Sequence, residues 1–240
     1  MSNIEITVDG KKIPAKKGEM LLPVLLKAGF DIPNMCYNSE IQPFGACRLC
    51  LVEIDRGSWR RVVVSCSYPV TDGLIVFTNS ERIIKHQKMV AELLLARCPD
   101  VPNVQALAKK LGVQEGGRFS KKTEGCVLCG LCTRACEQVV GVSAISFVGR
   151  GPDKHVATPF LDESKVCIGC GSCVYVCPVD YVLMDEDENV RRFPQWKVEF
   201  KMVRCKKCGQ KIGTDKEIEY MTKNTKGLPE GWFDLCNSCR

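Results

Sequence analysis

Histidine is nearly absent, with two in 240 residues. No serine, threonine or cysteine stands beside a base in a recognisable catalytic order, so hydrolytic chemistry has no support in the sequence. The chain has no G-x-G-x-x-G fingerprint and no G-x-x-x-x-G-K-S/T loop, so it lacks the common sequence devices for gripping a dinucleotide or a nucleoside triphosphate. No stretch approaches the roughly 18 apolar residues of a membrane span. The opening residues, MSNIEITVDGKKIPAKKGEM, alternate as a strand does and contain no apolar core followed by a cleavage site. A soluble, cytoplasmic setting is therefore expected. Structural disulfides are rare in the cytoplasm.

Cysteine, by contrast, is abundant, at 17 residues. In a reducing setting such a count points to metal ligation. Two runs, CVLCGLCTRAC from Cys126 and CIGCGSCVYVC from Cys167, share the spacing C-x2-C-x2-C-x3-C and are separated by 30 residues. A disulfide between such close neighbours would strain the chain and leave most thiols unused. Zinc ribbons offer C-x2-C pairs rather than this run. The doubled run is the bacterial two-cluster ferredoxin signature, in which the fourth cysteine of each run serves the other cluster. The expected ligands of one [4Fe–4S] cluster are Cys126, Cys129, Cys132 and Cys177, and those of the other are Cys167, Cys170, Cys173 and Cys136. Gly130, Gly169 and Gly171 permit the tight turns that aim N–H groups at cluster sulfur. Pro178 follows Cys177 as the signature asks, whereas Glu137 follows Cys136, a departure.

Nearer the start, Cys36, Cys47, Cys50 and Cys66 are spaced C-x10-C-x2-C-x15-C. Strand-like segments IEITVDGKKIPA, LVEI, RVVVSC and LIVFT and a short apolar helix at 20–31 surround them. Asp9-Gly10 is the turn of the first hairpin, and the helix ends near Gly29. A cysteine loop in this strand order suits a [2Fe–2S] centre in a β-grasp domain, with zinc as the rival. Residues 81–118 read as a helical connector. It opens with a capping box from Thr78 to Glu81, has an inner face of Ile83, Gln87, Val90 and Leu94, and closes at Gly116-Gly117.

GACRLCLVEI with Cys36 and VVVSC, then CVLCGLCTRACEQVVGVSAISFVGRG, VATPF and CIGCGSCVYVCPVD, resemble the N-terminal part of the complex I large iron–sulfur subunit. They are equally similar to the diaphorase iron–sulfur subunit of bidirectional hydrogenases and to the front end of NADH-linked [FeFe] hydrogenases. The resemblance covers about residues 1–185 and implies a flavin- and NAD(P)-binding partner subunit and a catalytic oxidoreductase subunit; the low potential of plant-type [2Fe–2S] centres, about −400 mV, adds ferredoxin as an expected partner. Those families commonly carry a further cluster held by one histidine and three cysteines. Here the corresponding segment offers only Cys98 and, upstream, His86. That cluster is therefore expected to be missing, with Cys98 a small buried residue and His86 a helix-surface one.

At the C-terminus, Cys205-x2-Cys208 and Cys236-x2-Cys239 form two C-x2-C pairs, the ribbon pattern for tetrahedral zinc. A third [4Fe–4S] cluster is the alternative there. Residues 191–240 hold 12 Lys and Arg against 6 Asp and Glu, which accounts for the whole formal charge of +6. The acidic run MDEDEN at 184–189 reads as a solvated loop.

The expected class is α+β. It comprises a [2Fe–2S] ferredoxin-like domain at 1–80, a connector at 81–118, a two-[4Fe–4S] domain at 119–190 and a zinc-ribbon-like tail at 191–240. The expected role is non-catalytic electron transfer within a multisubunit NAD(P)H- or ferredoxin-linked oxidoreductase. A hydrogenase, a formate dehydrogenase, a bifurcating transhydrogenase and a tungsten or molybdenum reductase all stay open as the parent enzyme. A free multi-cluster carrier is the alternative, and a zinc module binding nucleic acid or protein the more distant one.

Overall fold

The computed structural model describes residues 2–113, 118, 119 and 124–240. The expected boundary at Gly116-Gly117 lies outside them. The chain divides into two compact units, Met1–Gly130 and Leu131–Arg240.

The first unit is built on a five-stranded mixed sheet. Its strands are β1 (Asn3–Val8), β2 (Lys11–Lys16), β3 (Leu51–Asp55), β4 (Arg60–Val64) and β5 (Ile75–Phe77), in the order β2-β1-β5-β3-β4. Val8 pairs with Lys11, so Asp9 and Gly10 are a two-residue turn, both left-handed at φ 47° and 81°. That is the turn whose twist suits a hairpin. Helix α1 (Leu21–Lys27) buries Leu21, Leu22 and Leu25 in the core with Ile6, Val8, Val52 and Val76. Each such side chain contributes about 1.5–3 kcal/mol. The strand order and single helix match the β-grasp expectation.

Helix α2 (Glu81–Arg97) begins differently from the expected capping box. Ser80 is the cap, its hydroxyl accepting the Ile83 N–H at 3.4 Å. Thr78 is engaged elsewhere, donating its N–H (2.9 Å) and its hydroxyl (2.5 Å) to the Asp9 carboxylate in the hairpin turn. The buried face of α2 is Ile83, Gln87 and Ala91; the first two match the expected face, while Ala91 rather than half-buried Val90 and Leu94 continues it. The Gln87 amide donates to the carbonyls of Leu49 and Leu51 at 3.3 and 3.5 Å, which ties the helix to the backbone flanking Cys50. Pro102 starts α3 (Pro102–Lys110), which packs on α2 through Val104 and Ala108. Cys98 ends α2 and is fully buried, while His86 is exposed on it.

In the second unit, α4 (Leu131–Arg134) runs into a π-helical stretch, Ala135–Val140, closed by left-handed Gly141. A short hairpin of β6 (Ser146–Val148) and β7 (His155–Ala157) follows, then α5 (Ser172–Tyr175). Strands β8 (Asp185–Glu186), β9 (Val190–Phe193), β10 (Val198–Arg204) and β11 (Lys211–Thr214) form an antiparallel sheet in the order β11-β10-β9-β8. The expected boundary at 190/191 falls inside β9. Thr214 and Glu217 form a capping box for α6 (Asp215–Asn224). The acidic run is more than a solvated loop. It supplies β8 and a turn whose carboxylates are paired: Glu186 with Arg191 and Lys211, Asp187 with Arg192, and Glu188 with Arg204.

The C-terminal sheet packs against the loop that carries the second cysteine run. Arg191 donates to the Gly169 carbonyl at 2.8 Å, and the Thr214 hydroxyl donates to the Ile168 carbonyl. The Phe200 ring lies so close to Gly169 that a Cβ there would meet it at 2.6 Å. Gly169 is left-handed at φ 71°, so glycine is required on two counts.

Candidate metal centres

Cys36, Cys47, Cys50 and Cys66 are all buried. Cys36 follows α1, Cys47 and Cys50 sit on the loop entering β3, and Cys66 lies in the 3-10 turn Ser65–Ser67 after β4. Left-handed Gly45 and Arg48, at φ 68° and 56°, bend that loop around its cysteines. The Cys47 N–H donates to the Cys36 sulfur at 3.4 Å. The thiols interact in two pairs. Cys36 hydrogen-bonds Cys47, and this pushes Cys36 up and draws Cys47 down to about 6. Cys66 likewise holds Cys50 near 7 and is itself pushed up. Four buried thiols this close cannot all ionise without a cation among them, so the donor set suits an iron centre that replaces their protons.

Cys136, Cys167, Cys170 and Cys173 line a single cavity, whose other walls are mostly apolar and include Val142, Ala144 and Phe193. Cys136 comes from the π-helical stretch and the other three from the second run. The Cys136 sulfur accepts the Ala144 N–H at 3.2 Å. Burial pushes the thiols of Cys136, Cys167 and Cys173 up, Cys167 to about 11 and Cys173 to about 12. Thiolates in this largely apolar cavity need metal cations. The donor set fits an iron–sulfur cluster, and the crossed origin of Cys136 is the pattern the signature predicts.

Cys126 and Cys129 belong to the first unit, Cys132 and Cys177 to the second. The Cys126 sulfur accepts the Leu128 N–H at 3.4 Å, and its carbonyl accepts the Arg97 Nε–H at 2.8 Å. Cys129 and Cys132 are buried. The Cys177 sulfur accepts the Tyr181 N–H at 3.3 Å. The spacing of the run carries the assignment of these four. Burial pushes the neighbouring Cys98 thiol up to about 11, as suits a small core residue.

The ligand atoms of Cys205, Cys208, Cys236 and Cys239 all lie within 4.8 Å of one another. The sulfurs of Cys208 and Cys236 are 3.6 Å apart. Tetrahedral zinc–sulfur bonds of about 2.3 Å hold sulfurs roughly 3.8 Å apart. The set is therefore at single-ion spacing. The Cys236 N–H donates to the Cys205 sulfur at 3.3 Å, and this backbone contact leads the fall of the Cys205 thiol to about 6.

Residues 1–81 match the model of a 2Fe-2S iron-sulfur cluster binding domain. Residues 125–181 match that of a 4Fe-4S dicluster domain, which matches again over 166–210. The chain carries a 2Fe-2S domain and a 4Fe-4S dicluster domain. The 2Fe-2S domain thus holds Cys36 to Cys66, and the dicluster domain holds both runs. The second dicluster match reaches past Cys205 and Cys208. Over 217 residues the chain is 32% identical to the NADP-reducing hydrogenase subunit HndD of Solidesulfovibrio fructosivorans, covering 78% of this chain and 37% of that one. It is 30% identical over 206 residues to the mitochondrial NADH-ubiquinone oxidoreductase 78 kDa subunit of Candida albicans, covering 75% of this chain and 28% of that one. The iron–sulfur protein thus spans little more than a third of the first relative and less of the second. A solved NAD+-reducing [NiFe]-hydrogenase, in the H2-reduced state, matches with a TM-score of 0.57 and 29% identity, over 65% of this chain and 74% of that chain. No described helix is long and apolar enough to cross a membrane.

Four residues around the dicluster cavity were not singled out by the sequence: Phe193 and Trp196, which line it, and Arg191 and Thr214, which fix its loop. The aromatic spacing of FPQWKVEF at 193–200, inside an otherwise charged segment, was the available signal.

Proposed function

We propose that the chain is an electron-transfer subunit of an NAD(P)H-linked oxidoreductase. It would carry single electrons between a flavin- and NAD(P)-binding subunit and a catalytic subunit of the hydrogenase or complex I kind. The observation that carries this reading is the cavity shared by Cys136 and the three cysteines of the second run. In this reading Cys36, Cys47, Cys50 and Cys66 hold a [2Fe–2S] cluster. Cys126, Cys129, Cys132 and Cys177 hold one [4Fe–4S] cluster, and Cys136, Cys167, Cys170 and Cys173 the other. When bound, the clusters supply one-electron carriers, in the range from which NAD(P)H and ferredoxin can be reached. The protein's own residues donate thiolates, aim N–H groups such as those of Ala144 and Cys47 at sulfur, and keep water out with apolar walls. These are the protein's levers on potential.

Cys205, Cys208, Cys236 and Cys239 bind one zinc ion that staples the C-terminal sheet. Their single-ion spacing favours zinc. A further [4Fe–4S] cluster there is the second reading, favoured by the dicluster match that extends to residue 210.

The test is anaerobic purification of the native assembly with identification of its subunits, metal analysis and electron paramagnetic resonance (EPR). About ten iron and one zinc per chain, beside a flavin-bearing subunit, are expected. About fourteen iron without zinc makes the C-terminal site a cluster. A lone chain without a redox partner refutes the subunit reading and leaves a free carrier.

A further inference from the structure

The dicluster cavity holds one polar group that the protein does not use. Trp196 is 2% exposed and its side chain lines the cavity beside Cys173. Its indole Nε1 is fully buried and makes no hydrogen bond among the described residues. Buried indole N–H groups nearly always find an acceptor, and an orphan one calls for an explanation. The Cys173 sulfur, which lines the same cavity, is a candidate acceptor.

The position of Trp196 owes nothing to the ferredoxin motif. It closes the 3-10 turn Pro194–Trp196 between β9 and β10, and left-handed Lys197 at φ 53° links the turn to β10. Phe193 and Val198, both buried, flank it. Arg191 and Thr214 fasten this sheet to the Ile168–Gly169 backbone. The C-terminal sheet thus delivers a rigid donor into the cavity from outside the cysteine run.

We propose that Trp196 donates its indole N–H to the Cys173 sulfur once that sulfur ligates a cluster, and so raises the reduction potential of this cluster alone. The proposal rests on the assignment of Cys136, Cys167, Cys170 and Cys173 to one [4Fe–4S] cluster. Reduction adds one electron to the cluster and increases the negative charge on its sulfurs. A hydrogen bond to sulfur therefore strengthens on reduction and favours the reduced form. The proton stays on the indole nitrogen throughout, and no other bond changes. Trp196 is a positioning and tuning residue, distinct from the ligands.

The experiment compares the full-length chain with Trp196→Phe, which keeps an aromatic ring and removes the donor. Both are purified anaerobically in their native assembly and titrated potentiometrically with EPR detection. With all clusters retained, the Trp196→Phe chain is expected to favour oxidation of one [4Fe–4S] cluster by about threefold, which is roughly 30 mV lower at 59 mV per tenfold. The [2Fe–2S] and the other [4Fe–4S] midpoints are expected to stay in place. Unchanged midpoints in a fully loaded Trp196→Phe chain overturn the proposal. A second measurement covers the case in which the substitution costs the cluster. Unsubstituted protein labelled with indole-15N tryptophan is reduced and examined by pulsed EPR. A nitrogen coupling to one [4Fe–4S] signal is expected, and its absence overturns the proposal. If unsubstituted protein shows fewer than two [4Fe–4S] signals, the cluster assignment itself fails and the proposal falls with it.

Discussion

Gly169 offers a quantitative test of how the C-terminal sheet bears on the dicluster cavity. It lies between Cys167 and Cys170, is left-handed at φ 71°, and a Cβ there would meet the Phe200 ring at 2.6 Å. Gly169→Ala therefore brings two costs. The left-handed backbone costs an alanine roughly 1–2 kcal/mol. The clash costs about 1–3 kcal/mol, the usual range for overpacking. The ring has little freedom to retreat, since it packs edge-on to Phe193 with centroids 6.4 Å apart. Reduced freedom of the unfolded chain returns about 0.4–1 kcal/mol. The net expectation is about 1–5 kcal/mol, a fall of roughly 2–18 °C in the anaerobic thermal midpoint, with iron lost from this cluster first. Gly227→Ala is the control. Gly227 lies in the same unit at φ 82° with nothing within 4 Å of a new Cβ, so it carries the backbone cost without the clash. Phe200→Leu combined with Gly169→Ala should recover about 1 kcal/mol or more relative to the sum of the single changes. If Gly169→Ala is no worse than Gly227→Ala, the sheet does not press on the cysteine loop and the packing argument is wrong.

Cys170→Ser should abolish one [4Fe–4S] EPR signal and leave the [2Fe–2S] signal intact; loss of the [2Fe–2S] signal alone would show that the ligand sets are misassigned. Cys208→Ser should remove about one zinc per chain while both [4Fe–4S] signals persist, and loss of iron instead would make the site a cluster. Asp187 is held down to about 2, chiefly by the Asn189 N–H and then by Arg192 and the Val190 N–H. A carboxylate depressed in the folded state stabilises it above the ordinary carboxylate pKa and loses that contribution as pH falls through about 4 toward 2. Asp187→Asn should therefore unfold at a lower midpoint than the parent at pH 7, and the difference should shrink between pH 4 and pH 2. A difference independent of pH would sever the acidic run from the stability of the sheet.

The parts that were legible in the sequence are those set by local chemistry. Asp9-Gly10 defines its hairpin because a two-residue turn between alternating strands has few solutions. The C-x2-C-x2-C-x3-C runs announce their clusters because ligand spacing is written along the chain. The parts that were not legible depend on distant partners. Thr78 fits a capping box, but the Asp9 carboxylate, 69 residues earlier, engages both its N–H and its hydroxyl, and the cap passes to Ser80. The inner face of α2 turns toward Ala91 and Cys98, where small residues sit at the buried positions. MDEDEN looks like a solvated loop until the strands carrying Arg191, Arg192, Arg204 and Lys211 are folded beside it. Trp196 reads as an ordinary core aromatic, because nothing local ties it to a cysteine more than twenty residues before it.

These pairings also bear on the basic tail, for which nucleic-acid binding is the more distant alternative. Of its 12 cations, Arg191, Arg192, Arg204, Lys206, Lys211 and Lys216 already face carboxylates of the same unit. Four-cysteine centres add negative charge that the formal count omits, about −2 for each occupied site. With four sites filled, a chain of formal charge +6 carries about −2. The arginines and lysines of the C-terminal sheet serve to neutralise the acidic turn, and Arg191 also grips the Gly169 carbonyl.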